Sequence, residues 1–253
     1  METFEVKEEN GFKFLEVGEG NVVFPLHGLF GALSNFADVI NHFSKNYKVV
    51  IPILPLYTLE LDKTSVLGMV DYVDEFVQYK GYKNLNIIGN SLGGHVGLCY
   101  TLRRLENVKT LTLTASSGLF EASLGDQYPR KSDYDFIRRK TEETFYDPTV
   151  ATKELVDEVY DIVNNREKAI RTIFIAKSAI RTNLREDLHK ITIPCNLIWG
   201  ANDTITPPFV GEEFHKLLPN SELTILEKCC HAPMMEQPVL FNNCMDAFLA
   251  KHL

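Results

Sequence analysis

The chain has no Cys-x-x-Cys pair and no Cys/His spacing of a zinc site, so no metal is expected. Its five cysteines (Cys99, Cys195, Cys229, Cys230 and Cys244) are odd in number and follow no framework spacing. A disulfide scaffold is therefore excluded as the basis of the fold, and reduced thiols in a cytoplasmic setting are expected. No apolar run is long enough to cross a bilayer, and no membrane role is expected. The start, Met1-Glu2-Thr3-Phe4-Glu5-Val6-Lys7-Glu8-Glu9, is acidic and lacks the apolar core of a secretory signal. Basic residues number 26 against 34 acidic ones, for a net charge of −8, and nowhere cluster densely enough to track a phosphate backbone. Nucleic acid is thereby excluded as a partner. Internal repeats and low-complexity tracts are also absent.

What the chain does have is length and alternation. Its 253 residues, 45% of them hydrophobic, suit one large α/β domain or a core with a modest insertion. Short runs rich in β-branched residues read as strands: Val22–Leu26, Tyr47–Ile51, Leu85–Ile88, Val108–Leu113, Cys195–Trp199 and Glu222–Leu226. Amphipathic segments at 64–80, 92–104, 208–217 and 238–251 read as helices between them. This alternation predicts an α/β fold with a mostly parallel central sheet and helices on both faces. Two earlier runs, near Phe4–Val6 and Phe12–Val17, have no helix between them and read as an antiparallel hairpin at the sheet edge.

The alternation lapses over 119–188, which is charged and helical in pattern. Leu155, Val156, Val159, Tyr160 and Val163 share one helical face; Ile170, Ile173, Phe174 and Lys177 share another. Asp147-Pro148 separates helical pieces, because proline disfavours helix at the residue before it. The expected organisation is thus a core of 1–118 and 189–253 with a helical lid at 119–188 over the ligand site.

Chemistry concentrates in three places. Gly89-Asn90-Ser91-Leu92-Gly93 follows a predicted strand and opens a predicted helix. A hydroxyl nucleophile needs such a sharp, exposed turn, and the flanking glycines give the backbone room to make it. A glycine-rich turn that merely packs closely is the plain alternative. Serine also needs a positioned base. Of seven histidines, His231 lies between the last predicted strand and the last helix, whereas His27, His42, His95, His189, His215 and His252 are assigned to packing, capping or solvent. Asp203, just beyond the Cys195–Trp199 strand in Gly200-Ala201-Asn202-Asp203-Thr204, is the candidate acid that orients the imidazole, with a turn or capping role as its plain alternative. Two backbone amides are needed for a tetrahedral oxyanion. Those of Leu29, in His27-Gly28-Leu29-Phe30-Gly31, and of Leu92 are the candidates.

His27-Gly28, Gly89-Asn90-Ser91-Leu92-Gly93-Gly94, Trp199-Gly200 with Asp203, and His231 together resemble the α/β-hydrolase superfamily over essentially the whole chain. The resemblance implies a cofactor-independent hydrolase acting on a small molecule, with Ser91 as nucleophile, Asp203 as acid, His231 as base, and Leu29 and Leu92 as oxyanion donors. Two subfamilies compete. His27–Gly31 with Asn35-Phe36 resembles small carboxylesterases and thioesterases. Gly89–His95 and Phe145-Tyr146-Asp147-Pro148-Thr149 with Glu154-Leu155-Val156 resemble the meta-cleavage-product hydrolases, which cut carbon–carbon bonds. Those enzymes carry a lid arginine that contacts the substrate's dienoate, at the position held here by Val159 or Tyr160, and an aromatic residue after the histidine, where this chain has Ala232. Without that arginine a buried carboxylate loses a charge-assisted partner, so an ester or thioester is the expected substrate. Arg138, Arg139, Arg166 and Arg171 are the cations that another register would bring in. A non-catalytic small-molecule receptor on the same fold is a third reading. Candidate pocket residues are Phe30, Asn35, Asn90, Phe145, Tyr146, Val159 and Phe174. Oligomeric state is not legible.

Overall fold

Eight strands hydrogen-bond into a single sheet: β1 (Val6–Glu9), β2 (Phe12–Val17), β3 (Val22–Leu26), β4 (Lys48–Pro52), β5 (Leu85–Asn90), β6 (Val108–Thr114), β7 (Cys195–Gly200) and β8 (Ser221–Leu226). The computed structural model describes residues 5–31, 33–121 and 133–253. The strand order is β1-β2-β4-β3-β5-β6-β7-β8. β1 and β2 form the expected antiparallel hairpin at the edge, β2 is antiparallel to β4, and every later pairing is parallel. Phe4, expected in the first strand, lies outside the described residues.

The strands are apolar because both faces of the sheet are covered. In β3, Val22, Phe24 and Leu26 face one layer and Val23 the other, the period of two that a pleated strand imposes. The first layer holds α2 (Val66–Lys80), α3 (Leu92–Arg103) and α7 (Pro208–Leu217), through side chains such as Met69, Leu98 and Phe214. The second holds α1 (Ala37–Phe43) and α9 (Pro238–His252), through Ile40, Phe241 and Phe248. Chain order turns back at β3, which has β4 on one side and β5 on the other. Such a reversal opens a crevice at the carboxyl ends of the strands, where open α/β sheets bind ligands.

Among the described residues, three α-helices lie between β6 and β7: α4 (Tyr134–Glu142), α5 (Lys153–Asn164) and α6 (Arg166–Arg181). Each begins at a side chain that accepts a backbone N–H: Asp133 from Phe136, Thr152 from Leu155, and Asn165 from Glu167 and Lys168. Asp147 caps the short 3-10 turn Pro148–Val150 in the same way, at the break expected from its proline. On α5 the buried residues Val156, Val159 and Val163 come from the expected face. On α6 they do not. Ala169, Thr172, Ile175 and Ala179 are buried, while Phe174 is 45% exposed and Lys177 is exposed. Small side chains let this helix lie close to the core, and the Val66 amide of α2 donates to Ser178 on α6. Phe174 and Ile180 turn outward, and Ile175 is the large apolar side chain that the helix buries. Residues 122–132 of the expected lid lie outside the described residues. Among the described residues, no helix is long and apolar enough to cross a membrane.

Candidate active site

The turn from β5 into α3 carries Ser91 at φ 54° and ψ −119°, a left-handed conformation that strains a residue with a Cβ. The surroundings enforce it. A Cβ on Gly93 would lie 2.0 Å from the Leu26 carbonyl oxygen, and one on Gly89 would lie 2.4 Å from Gly94 Cα. Only glycine lets β3, β5 and α3 approach this closely. The Ser91 amide donates to Thr114 at the end of β6, and its carbonyl accepts from Gly94, His95 and Ser117 amides and from the Ser117 hydroxyl. The serine is thus fixed by three elements at the carboxyl edge of the sheet.

Two further loops reach the same edge. His231 Nδ1 lies 3.0 Å from Asp203 Oδ2. Asp203 is 3% exposed, and its other oxygen accepts from the Ile205 and Thr206 amides at 2.8 and 3.0 Å, while the Thr206 hydroxyl donates to Oδ2 at 2.9 Å. Burial alone would raise the Asp203 carboxyl, but His231 and the two amides outweigh it and hold it below the usual carboxylate range. An ionised Asp203 fixes the hydrogen of His231 on Nδ1 and leaves Nε2 as the basic nitrogen. Asn90, one residue before the serine, donates to the carbonyls of Thr114 and His231 and so ties the two loops together.

Ser91 and His231 line one cavity of about 430 Å³, together with Leu29, Phe30, Asn35, Asn90 and Leu92. Leu92 opens α3, so its amide is among those a helix leaves without an internal acceptor. The loop bearing Leu29 is held by Tyr57, whose hydroxyl donates to the Leu29 carbonyl, and by His27. His27 Nδ1 donates to the Gly28 carbonyl and Nε2 accepts from the Leu54 amide. Burial lowers the His27 pKa and keeps this imidazole neutral, as a structural member should be. His95 is likewise buried and pushed down to about 4, with Nε2 donating to the Thr182 carbonyl at the end of α6. It braces the helices on the serine turn.

The helices supply the rest of the wall. Ile137, Phe145, Leu155, Val159 and Ile175 are apolar lining. Tyr146 and Phe174 are not in the lining: both are exposed, at 48% and 45%. Tyr146 reaches the site only through its backbone, and Phe174 sits on the outward face of α6. Three charged residues missed by the motif analysis do line the cavity, namely Glu121, Lys140 and Glu143. Lys140 donates to Glu143 at 2.6 Å. Burial pushes the Glu121 carboxyl up to about 7, although it accepts from the Gly118 amide. Thr206, three residues beyond Asp203, and Glu236, five beyond His231, are further partners of the site; close spacing to Asp203 and His231 was the one signal for either.

A profile of the alpha/beta hydrolase fold matches residues 21–150. The solved structure of MGS-MChE2, an alpha/beta hydrolase enzyme from the metagenome of sediments from the lagoon of Mar Chica, Morocco, is 44% identical and superposes with a TM-score of 0.81 over 98% of both chains. Monoacylglycerol lipase ABHD6 of Mus musculus is 25% identical over 89% of this chain and 74% of its own. The meta-cleavage product hydrolase CumD of Pseudomonas fluorescens IP01 shares the fold at 20% identity, with a TM-score of 0.81 over 95% of both chains. The chain belongs to the alpha/beta hydrolase fold family. It is an enzyme of that family, a hydrolase with lipase, esterase and meta-cleavage hydrolase relatives.

Proposed function

We propose that the enzyme hydrolyses a small carboxylic ester or thioester through an acyl-enzyme on Ser91. The observation that carries this reading is the buried Asp203–His231 pair opening onto the cavity that the strained Ser91 turn also lines. His231 Nε2 takes the Ser91 hydroxyl proton as Oγ attacks the acyl carbon. Leu29 and Leu92 amides receive the oxyanion. Collapse expels the alcohol or thiol, protonated by His231, and water then repeats the sequence to release the acid. Residues 119–188 act as the lid of this site, their apolar side chains excluding water and strengthening the oxyanion interactions.

The charge content of the wall favours an ester over a dienoate. Val159, at the arginine position of the carbon–carbon hydrolases, contributes apolar lining. Among the described residues, Lys140 is the cation in the lining, and it is paired with Glu143. Arg138 pairs with Asp135 and Glu142, and Arg171 with Glu167 and the Leu59 carbonyl. A substrate carboxylate would thus enter a largely apolar cavity without a free cation among the described residues, at a steep desolvation cost.

Steady-state kinetics on p-nitrophenyl esters of increasing acyl length, beside a vinylogous 1,5-diketone, test the choice. An ester is expected to give the highest kcat/KM; a higher value for the dienoate overturns it. A fluorophosphonate probe is expected to label Ser91, and failure to label would favour a non-catalytic receptor.

A further inference from the structure

Glu236 closes α8 (Pro233–Glu236), the short helix that follows His231. Its carboxylate turns back along the chain. Oε1 accepts from the Ala232 amide at 3.2 Å and from the Cys230 amide at 3.0 Å, which is also 3.1 Å from Oε2. These are the two amides that flank His231. Oε2 accepts a third amide, that of Tyr146, at 2.7 Å from the stretch between α4 and α5. The His231 amide itself donates to the Thr144 carbonyl at 3.2 Å, and Thr144 lines the cavity. The base loop and residues 144–146 are therefore sewn together by bonds in both directions, with Glu236 at the centre.

The position is an unfavourable one for a carboxyl. Burial pushes its pKa above the ordinary range, and the neighbouring Asp203 adds to this, while the three amides pull the other way. An apolar residue there would avoid that cost but would leave the part-buried N–H groups of Cys230 and Ala232, and the more exposed one of Tyr146, without this acceptor. Charge-assisted bonds from amides on both sides of His231 fix the peptide planes from which its side chain projects. Small displacements of a base cost rate steeply, because proton transfer depends on hydrogen-bond reach.

Resting on the reading of His231 as the base, we propose that Glu236 is a positioning residue: it holds the His231 backbone in register with Ser91 and fastens that register to residues 144–146 of the helical insertion. Its two oxygens divide the task. Oε1 serves the base loop alone, whereas Oε2 shares the Cys230 amide and also reaches across to the insertion. Glu236→Gln can keep the Oε1 bonds but presents an NH2 group to the Tyr146 amide, and Glu236→Ala removes both sets.

Active-site titration of the full-length chain with a fluorophosphonate separates lost protein from slowed chemistry. For Glu236→Ala, kcat per titrated site and the labelling rate are expected to fall together by roughly 10²-fold, the low end of a general base's contribution, with KM changed by less than about threefold. Glu236→Gln is expected to recover at least about tenfold of that loss. A scaffold-only role predicts fewer titratable sites with unchanged kcat per site, and that result overturns the proposal. Amide hydrogen exchange is the second measurement, and it needs no turnover. Peptides covering 144–146 and 229–232 are expected to lose protection in Glu236→Ala, whereas Glu236→Gln should expose chiefly 144–146. Unchanged protection in both peptides overturns the proposal even if activity falls. Lost protection in an enzyme whose wild type fails to label would leave the positioning intact and discard the serine reading.

Discussion

The carboxyl edge of the sheet and helices α4–α6 line the same cavity with different materials. At the sheet edge, Ser91 and Asp203 are each held by several bonds to backbone groups of neighbouring strands and turns, and His231 by the Asp203 and Asn90 side chains and the Thr144 carbonyl, over a core of fully buried aromatic and aliphatic side chains such as Trp199, Phe24 and Leu26. The helices are held by end caps, a few small buried residues and exposed ion pairs such as Arg138–Glu142 and Lys153–Asp157. Exposed pairs of this kind contribute between nothing and about 1 kcal/mol each. The difference separates a densely bonded sheet edge from a looser helical wall, and on the function proposed above the first would keep the reacting groups in place while the second would shape the substrate's room.

The sharpest way to break this division is at the serine. Ser91→Ala is expected to lower kcat by at least about 10⁴-fold with the fold intact, because members of such a group act as a unit; an activity left within tenfold of wild type would place the nucleophile elsewhere. Next comes the acid. Asp203→Asn should cost roughly 10⁴-fold by permitting the wrong imidazole tautomer. Asp133→Ala or Asp147→Ala, which remove caps of the insertion, should alter kcat by less than about twofold while lowering stability by about 1 kcal/mol. Asp126, a third acid of that stretch, lies outside the described residues. Equal activity losses on both sides would erase the comparison.

Substitutions on the helices sharpen it from the other side. Val159→Phe should crowd the cavity and reduce kcat/KM for the longest accepted acyl chain by about tenfold, with short esters spared. Phe174→Asp, on the outward face of α6, should leave every ester within about twofold. Acyl-length profiles of the two variants check both outcomes. The last expected effect falls on stability alone, at Glu121, and is read by thermal unfolding against pH. Its carboxyl is raised to about 7 in the folded chain from an ordinary 4.5, so the folded chain takes up a proton across that window before the unfolded chain does. The resulting stability is present below about pH 4.5 and is lost as pH rises through 7. Glu121→Gln keeps an amide acceptor for Gly118 without the charge. It should raise Tm by several degrees at pH 8, on the order of 2 kcal/mol, and give no gain near pH 4.5. A gain independent of pH would mean that the charge is not buried there.

The same division explains what was legible in the sequence. β3, β5 and β7 are covered on both faces, so they read as apolar runs interrupted only by buried Asn86, Asn90 and Asn196, and the Ser91 turn carries its own glycines. The fold class was legible for that reason. α1 and α8 were not, since seven and four residues are too few to establish a helical period. The buried face of α6 was hidden because Ala169, Thr172 and Ala179 are small, and a search for large apolar residues selects Phe174 instead. Tyr146 fails for a related reason: its aromatic ring suggested a pocket wall, while its amide is the part bound at the site. Glu121 and Glu236 show no local pattern that reveals their surroundings. What matters about each is burial and a set of partners brought in by the tertiary fold.

The pairing of β6 with β7 runs in register from Leu111 opposite Cys195 to Thr114 opposite Ile198, although the chain makes its whole helical excursion between them. Closing a longer excursion costs only about 0.6 kcal/mol of chain entropy for each doubling of its length. The core therefore tolerates a graft at this point, and a different cap could be spliced between Ser117 and Leu188 with little penalty to the sheet. The graft would have to restore the stitches to the core: a carbonyl and an amide spaced like those of Thr144 and Tyr146, to meet His231 and Glu236, and acceptors like Thr182 and Ser178, to meet His95 and the Val66 amide.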